Sequence, residues 1–243
     1  MSALLEVHGL TKRFGGITAV DTCTLEVQQG TITALIGPNG SGKTTAFNII
    51  TGYLKADAGT ISFDGKRVEK PSPASLYRDG LSRTFQQARI FPDLSVLENL
   101  VVASSYSLRG LFQTRVSKQD RDRAGEMLEE FKLSSLSDLR GSELSYGQRK
   151  LLEFAAVLMS SPKLVLLDEP TAGVNPVMIE TMERHIRSRH KEGVTFLIVE
   201  HDMQLVMRLC DPVIVLDRGA TIAKGTPAEV QTNPLVLDAY LGD

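Results

Sequence analysis

The sequence predicts an α/β fold: a mainly parallel sheet covered by helices, with antiparallel β-structure at its start and a helical insertion in its middle. Three observations predict it. The compact runs TITALIG, KLVLLDE, VTFLIVE and PVIVLDRG are apolar almost throughout, as strands buried on both faces are. Helical stretches alternate with them, the clearest from about Pro176 to His190. TITALIG also runs straight into a glycine-rich turn, after which TTAFNIITGYL shows helical periodicity and ends near Gly52.

Taken in order, the chain begins with LLEVHGL and ITAVDTCTLEVQQG, short alternating segments punctuated by Gly9, Gly15-Gly16 and Gly30. GTISFDGKRV reads as a hairpin turning at Asp64-Gly65. The span from there to about Arg89 is harder to assign. Ser95 and Glu98 have the spacing of a capping box ahead of Leu100, Val101 and Val102. SKQDRDRAGEMLEEF is a charged amphipathic helix, and the polar link LSSLSDLRGSE leads to a helix from about Tyr146 to Met159. Leu151, Leu152, Ala155, Leu158 and Met159 form its apolar stripe.

Composition bounds the function. The 243 residues are 42% hydrophobic and 23% charged, ordinary for one globular domain, or for one core with subdomains inserted into it. A formal net charge of -2 gives no sign of a polyanion-binding protein, and no nucleic-acid partner is expected. Arg184, Arg187, Arg189 and Lys191 share their segment with Glu180, Glu183 and Glu192, which reads as a solvated helix face. Cys23 and Cys210 lie in mostly apolar stretches without metal-binding spacing, so they are expected to be buried free thiols in a reducing compartment. MSALLEVHGL lacks the pattern of a signal peptide. No run approaches the roughly 18 apolar residues of a spanning helix, so membrane work would require other chains.

The strongest motif is Gly37-Pro38-Asn39-Gly40-Ser41-Gly42-Lys43-Thr44, a phosphate-binding loop between a strand and a helix. Its glycines let successive backbone N–H groups wrap phosphate oxygens, aided by the following helix N-terminus. Lys43 would neutralise the β- and γ-phosphates, the Thr44 hydroxyl would ligate Mg2+, and Thr45 could bond the α-phosphate. Asp168, at the end of KLVLLDE, stands where ligands bind in open α/β sheets and would hold Mg2+ directly or through water. Glu169 is placed to polarise an attacking water as general base.

Leu144-Ser145-Tyr146-Gly147-Gln148 then resembles the signature motif of the ATP-binding-cassette (ABC) family, and the resemblance covers essentially the whole chain, 1–243, as one ATPase domain. Within it, roughly residues 91–160 correspond to the helical subdomain that carries the signature. Ser145 reads as an N-cap and Gly147 permits close backbone approach, so a helix N-terminus can meet an anion. The resemblance implies that this anion is the γ-phosphate of ATP on a second cassette subunit, so that Ser145, Tyr146, Gly147 and Gln148 act in trans in a closed dimer. It further implies that Phe14 stacks on adenine and that Gln86 links Mg2+ and water to a membrane partner, with Gln87 leaving the register open by one. His201, in VEHD, resembles the switch histidine at the γ-phosphate.

RTFQ, FPDLSVLENL, DEPTAGVNP, VEHDM and DAYLGD together resemble the ATP-binding subunits of branched-chain amino-acid importers; Asn175 suits that subgroup. The resemblance implies two integral membrane permease subunits, a substrate-binding protein acting indirectly, and a peripheral place on the cytoplasmic face of the inner membrane. Homodimer and heterodimer stay equally open. The alternatives are a lipid or lipopolysaccharide exporter, where glycine would be expected at 146, and a soluble ATPase on nucleic acid or ribosomes.

Overall fold

The computed structural model describes residues 2–104 and 117–241. Part of the helical insertion, residues 105–116, lies outside the described residues, as do Met1 and the last two residues of DAYLGD. β1 (Ala3–Phe14) and β2 (Ile17–Gln28) form a long antiparallel hairpin. β3 (Ile32–Ile36) enters the core, and α1 (Lys43–Ile50) follows it. β4 (Ala58–Phe63) returns to pair with β1, and β5 (Lys66–Arg67) pairs with β4. Asp64 and Gly65 between them both have positive φ, 51° and 71°, the conformation that a two-residue hairpin turn requires.

The segment left unassigned in the sequence holds α2 (Pro73–Asp79) and the three-residue strand β6 (Leu81–Arg83). Ser72 caps α2, Pro73 opens it and Gly80 closes it in the left-handed conformation. The insertion contributes α3 (Val96–Ser104), α4 (Lys118–Glu130) and α5 (Tyr146–Leu158). Ser95 and Glu98 exchange hydrogen bonds of 3.1 and 2.8 Å, so the capping box forms. β7 (Leu164–Asp168), α6 (Pro176–Lys191), β8 (Thr195–Val199), α7 (Met203–Leu209) and β9 (Val213–Asp217) complete the alternation. β10 (Ala220–Gly225), α8 (Pro227–Gln231) and α9 (Pro234–Leu241) end the described chain.

Two sheets result. One is antiparallel, in the order β2-β1-β4-β5; the other runs β10-β9-β3-β8-β7-β6 and is parallel except at β10–β9. The parallel strands alternate between two cores, because successive side chains leave opposite faces. Val165 and Leu167 pack with the inserted helices and α6, whereas Leu164 and Leu166 pack with α1 and the antiparallel sheet. That is why KLVLLDE is apolar at each strand position from Leu164 to Leu167.

Aromatic rings join the insertion to the core. Phe131, just past α4, stacks on His185 of α6 with centroids 3.9 Å apart, and meets Phe154 of α5 edge-on at 5.8 Å. The basic cluster of α6 is partly the expected solvated face, with Arg187–Glu183 at 2.9 Å. Arg189 departs from that expectation: its side chain is only 18% exposed and it pairs with Glu130 of α4. Both cysteines are buried and free. Among the described residues, no helix is long and apolar enough to cross a membrane.

Phe154 is fully buried at this junction. Phe154→Ala is expected to cost about 3–5 kcal/mol of stability in urea unfolding; a loss below about 1 kcal/mol would mean that the junction is not a packed core.

Candidate functional site

The site is built at the C-terminal edge of the parallel sheet. β3, β8, β7 and β6 lie side by side, with Leu35 level with Val199 and Val199 level with Asp168. One or two residues beyond those rungs come Gly37, His201 and Glu169, so strand pairing brings together motifs far apart in the chain.

The loop Gly37–Lys43 folds closely on its neighbours. A Cβ on Gly37 would lie 2.0 Å from the Leu216 carbonyl oxygen, and one on Gly42, 2.3 Å from that of Ala19. No larger residue fits at either place. Lys43 reaches back across the loop, its ammonium donating to the Gly37 and Pro38 carbonyls at 2.7 and 2.9 Å and to Ser41 Oγ at 3.3 Å. Burial pushes this lysine below its usual range, opposed by the Glu169 and Asp168 carboxylates. Asn39, Gly40, Ser41, Gly42, Lys43, Thr44 and Thr45 line a cavity of about 200 Å³ with Ala19, Glu169 and His201. Ala19 comes from β2, whose alternating pattern carries no signal for such a role.

Glu169 has φ 47°, a left-handed conformation that costs a side chain of order 1–3 kcal/mol. Its backbone N–H is held by the Val199 carbonyl at 2.9 Å, and its carbonyl accepts the Lys150 ammonium at 3.0 Å. One carboxylate oxygen is 2.9 Å from His201 Nε2, and the other accepts Gln86 Nε2 at 3.1 Å. Of the two adjacent glutamines, then, Gln86 is the one that reaches Glu169.

Asp168 is buried, and its Oδ2 pairs with Arg83 Nη2 at 2.7 Å. Arg83 also donates to Asn48 Oδ1 and Thr51 Oγ1 at 2.8 and 2.9 Å, and lies among the Phe47, Tyr53 and Phe85 rings. Sequence reasoning missed Arg83, although it opens the RTFQ motif. It also missed the buried Glu200, which accepts the Thr171 N–H at 3.0 Å and the His201 N–H at 3.1 Å and so ties the loop that carries Glu169 to the one that carries His201.

Thr44, Gln86 and Asp168 offer hard oxygen donors with a single carboxylate. Among the described residues there is no cluster of three or more His, Cys, Asp or Glu for a metal. This donor set fits Mg2+, which keeps several waters and takes further oxygens from phosphates. The loop amides and Lys43 fit the phosphates themselves.

The signature residues stand apart from the cavity. Ser145 accepts the Gln148 N–H at 3.4 Å and Gln148 Oε1 accepts the Ser145 N–H at 2.8 Å, so α5 begins with a capping box. A Cβ on Gly147 would meet only ordinary contacts, the nearest at 3.5 Å from Met178. Among the described residues, nothing therefore demands glycine there. Tyr146 turns toward its own chain, with its hydroxyl 3.5 Å from the Gln86 carbonyl and its ring beside Gly173. Phe14 is half exposed at the tip of the β1–β2 hairpin, outside the cavity lining.

Such a loop and strand-end carboxylates on an α/β sheet with an inserted helical segment define a phosphate-loop nucleotide-binding cassette. Residues 20–172 match the family model for ABC transporters, and the chain belongs to that family. Residues 220–243 match the model described as branched-chain amino acid ATP-binding cassette transporter. The chain is 40% identical over 250 residues to the high-affinity branched-chain amino acid transport ATP-binding protein BraF of Pseudomonas aeruginosa, covering 99% of this chain and 98% of that protein. It is 38% identical over 251 residues to the probable LivG counterpart of Methanocaldococcus jannaschii, with the same coverage. Among solved structures, the ADP conformation of an ATP-binding cassette of an ABC transporter superposes with a TM-score of 0.87 at 37% identity, covering 100% of both chains. A nucleotide-free cassette gives 0.88 at 36% identity, again with 100% coverage of both.

Arg83→Met leaves Asp168 buried without its cation, and stability is expected to fall by about 3–5 kcal/mol in chemical denaturation. An unchanged unfolding midpoint would show that Arg83 is not what balances Asp168.

Proposed function

We propose that this chain binds and hydrolyses ATP as the cassette subunit of an importer for branched-chain amino acids, working as one domain with residues 91–160 as its helical part. Relatives named for that transport, matched along nearly their whole length, support the substrate class. The match of the C-terminal segment supports it independently. One observation carries the mechanistic reading. Lys43, Glu169 and His201 converge on one cavity, while the capped N-terminus of α5 stands outside it with a glycine that nothing among the described residues demands.

The site is half of a whole in this reading. Asn39 to Thr45 and the Gly37-Pro38 turn cradle the phosphates, Lys43 neutralises the β- and γ-phosphates, and Phe14 stacks on adenine. Thr44, Asp168 and Gln86 would hold Mg2+, which would supply charge neutralisation at the phosphate oxygens. Arg83 engages Oδ2 of Asp168 at 2.7 Å and so orients the carboxylate. Ser145, Tyr146, Gly147 and Gln148 of a second cassette subunit close over the γ-phosphate, with the helix N-terminus directed at its charge.

Phosphoryl transfer to water needs positioning and electrostatics more than covalent chemistry. Glu169 is held at both carboxylate oxygens by Gln86 and His201, so its orientation is set before water arrives. It takes the proton of the attacking water, while His201 contacts the γ-phosphate. Loss of that phosphate removes what holds the subunits together, and the dimer opens. Two integral membrane permease subunits dock near Gln86 and the helical segment, placing the chain at the cytoplasmic face of the inner membrane. A substrate-binding protein delivers cargo to the permeases.

Glu169→Gln is expected to lower phosphate release by about 100-fold or more while ATP binding, read with a fluorescent analogue, stays within about threefold. Turnover near the wild-type rate would remove Glu169 from the base role. Two multi-spanning subunits should co-purify with the chain, and the reconstituted assembly should take up leucine only with ATP; uptake of other solutes alone would contradict the assigned cargo.

A further inference from the structure

The proposed mechanism leaves two buried charges of α5 without a role. Lys150 is 2% exposed and donates to the Glu169 carbonyl at 3.0 Å. Glu153 is 4% exposed, and its Oε1 accepts two backbone N–H groups, that of Phe85 at 3.2 Å and that of Arg89 at 2.9 Å. Those two donors bracket Gln86. The segment from Thr84 to Arg89 has no regular secondary structure, so no sheet or helix ladder serves these amides. A single carboxylate oxygen does.

The surroundings make this a fixed anchor. The Arg89 guanidinium lies 3.7 Å from the Phe85 ring centroid, and Phe85 packs edge-on to Tyr53 at 5.3 Å. At the start of the same helix, the Tyr146 hydroxyl is 3.5 Å from the Gln86 carbonyl. Glu153 Oε2 is buried and has no hydrogen-bond partner among the described residues. Burial pushes this carboxyl up to about 7, against the two amides, Lys150 and Arg89. Both protonation states keep Oε1 as an acceptor, so what the loop uses is the acceptor and its reach.

We propose that Glu153 is a positioning residue that sets the Gln86 loop on the signature helix α5. Glu153 lies eight residues beyond Ser145, roughly 12 Å along a rigid helix. The helix whose N-terminus serves the partner's ATP is thereby tied to the Gln86 loop and, through Lys150, to the Glu169 backbone of its own site. Movement of α5 as the dimer closes is passed to Gln86 and Glu169 of the same chain. The two composite sites are coupled through one helix. This rests on the roles proposed above for Gln86 and Glu169.

The test uses the full chain with steady-state ATPase kinetics and amide hydrogen exchange. Glu153→Ala is expected to lower kcat by about tenfold with KM for ATP within about threefold, and Glu153→Gln, which keeps the acceptor, to stay within about twofold of wild type. Exchange at Phe85 and Arg89 should accelerate in Glu153→Ala and stay slow in Glu153→Gln. Should Glu153→Ala fail to fold, Glu153→Asp keeps the charge but shortens the reach, and the same loss of kcat is expected of it. Wild-type kcat in Glu153→Asp or Glu153→Ala, or a Glu153→Gln chain as impaired as Glu153→Ala, overturns the proposal. Gln86→Ala separates the two layers. If Gln86→Ala is impaired while Glu153→Ala is not, only the positioning role fails; if Gln86→Ala is unimpaired, the reading of Gln86 fails first.

Discussion

Parallel hydrogen bonding among β3, β8, β7 and β6 sets where every polar group of the site lies. Asp168 is level with Val199, and Val199 with Leu35, so β7 and β8 leave the sheet on one rung and β3 one residue later, at Ile36. A one-residue slip of β7 would exchange its two faces, placing Val165 and Leu167 where Leu164 and Leu166 belong. Both cores are apolar, and side-chain volume on each face differs, so the register is held by packing on both sides. Asp168 and Glu169 are therefore located by hydrophobic residues that never meet a nucleotide.

Beyond the sheet edge the problem is electrostatic. Asp168, Lys43, Lys150, Glu153 and Glu200 are all at most 6% exposed, and an isolated charge at such depth is strongly disfavoured. Each has a partner: Arg83 for Asp168, loop carbonyls for Lys43, the Glu169 carbonyl for Lys150, and backbone amides for Glu153 and Glu200. These bonds do more than offset desolvation. They hold Glu169 in a left-handed backbone conformation and fix the loops that carry Gln86 and His201. The polar network and the apolar sheet are two halves of one positioning device.

Much of this was legible in the sequence, for a physical reason. A phosphate cradle needs glycines and a lysine at fixed local spacing, and a capped helix needs Ser145 and Gln148 three apart; such constraints are written in consecutive residues. Apolar runs made the central strands equally plain. What stayed hidden depends on contacts across the fold. β6 has three residues and exists because β7 pairs with it. Arg83 matters through Asp168, 85 positions away, and Glu153 through amides more than 60 positions away. Ala19 lines the cavity only because the β1–β2 hairpin folds over the loop. The α2 signals, Ser72, Pro73 and Gly80, stand in the sequence but bound a helix of only seven residues, too short to show a helical period.

The central claim is that the ATP site is completed by α5 of a second subunit, and complementation between two inactive chains tests it directly. Lys43→Ala disables the phosphate loop and keeps the signature, whereas Ser145→Arg does the reverse. Each alone should be inactive, and an equal mixture should recover about a quarter of wild-type turnover, because half of the dimers then hold one intact composite site of two. A Ser145→Arg chain that hydrolyses ATP at the wild-type rate, or a mixture as inactive as its components, would contradict the account.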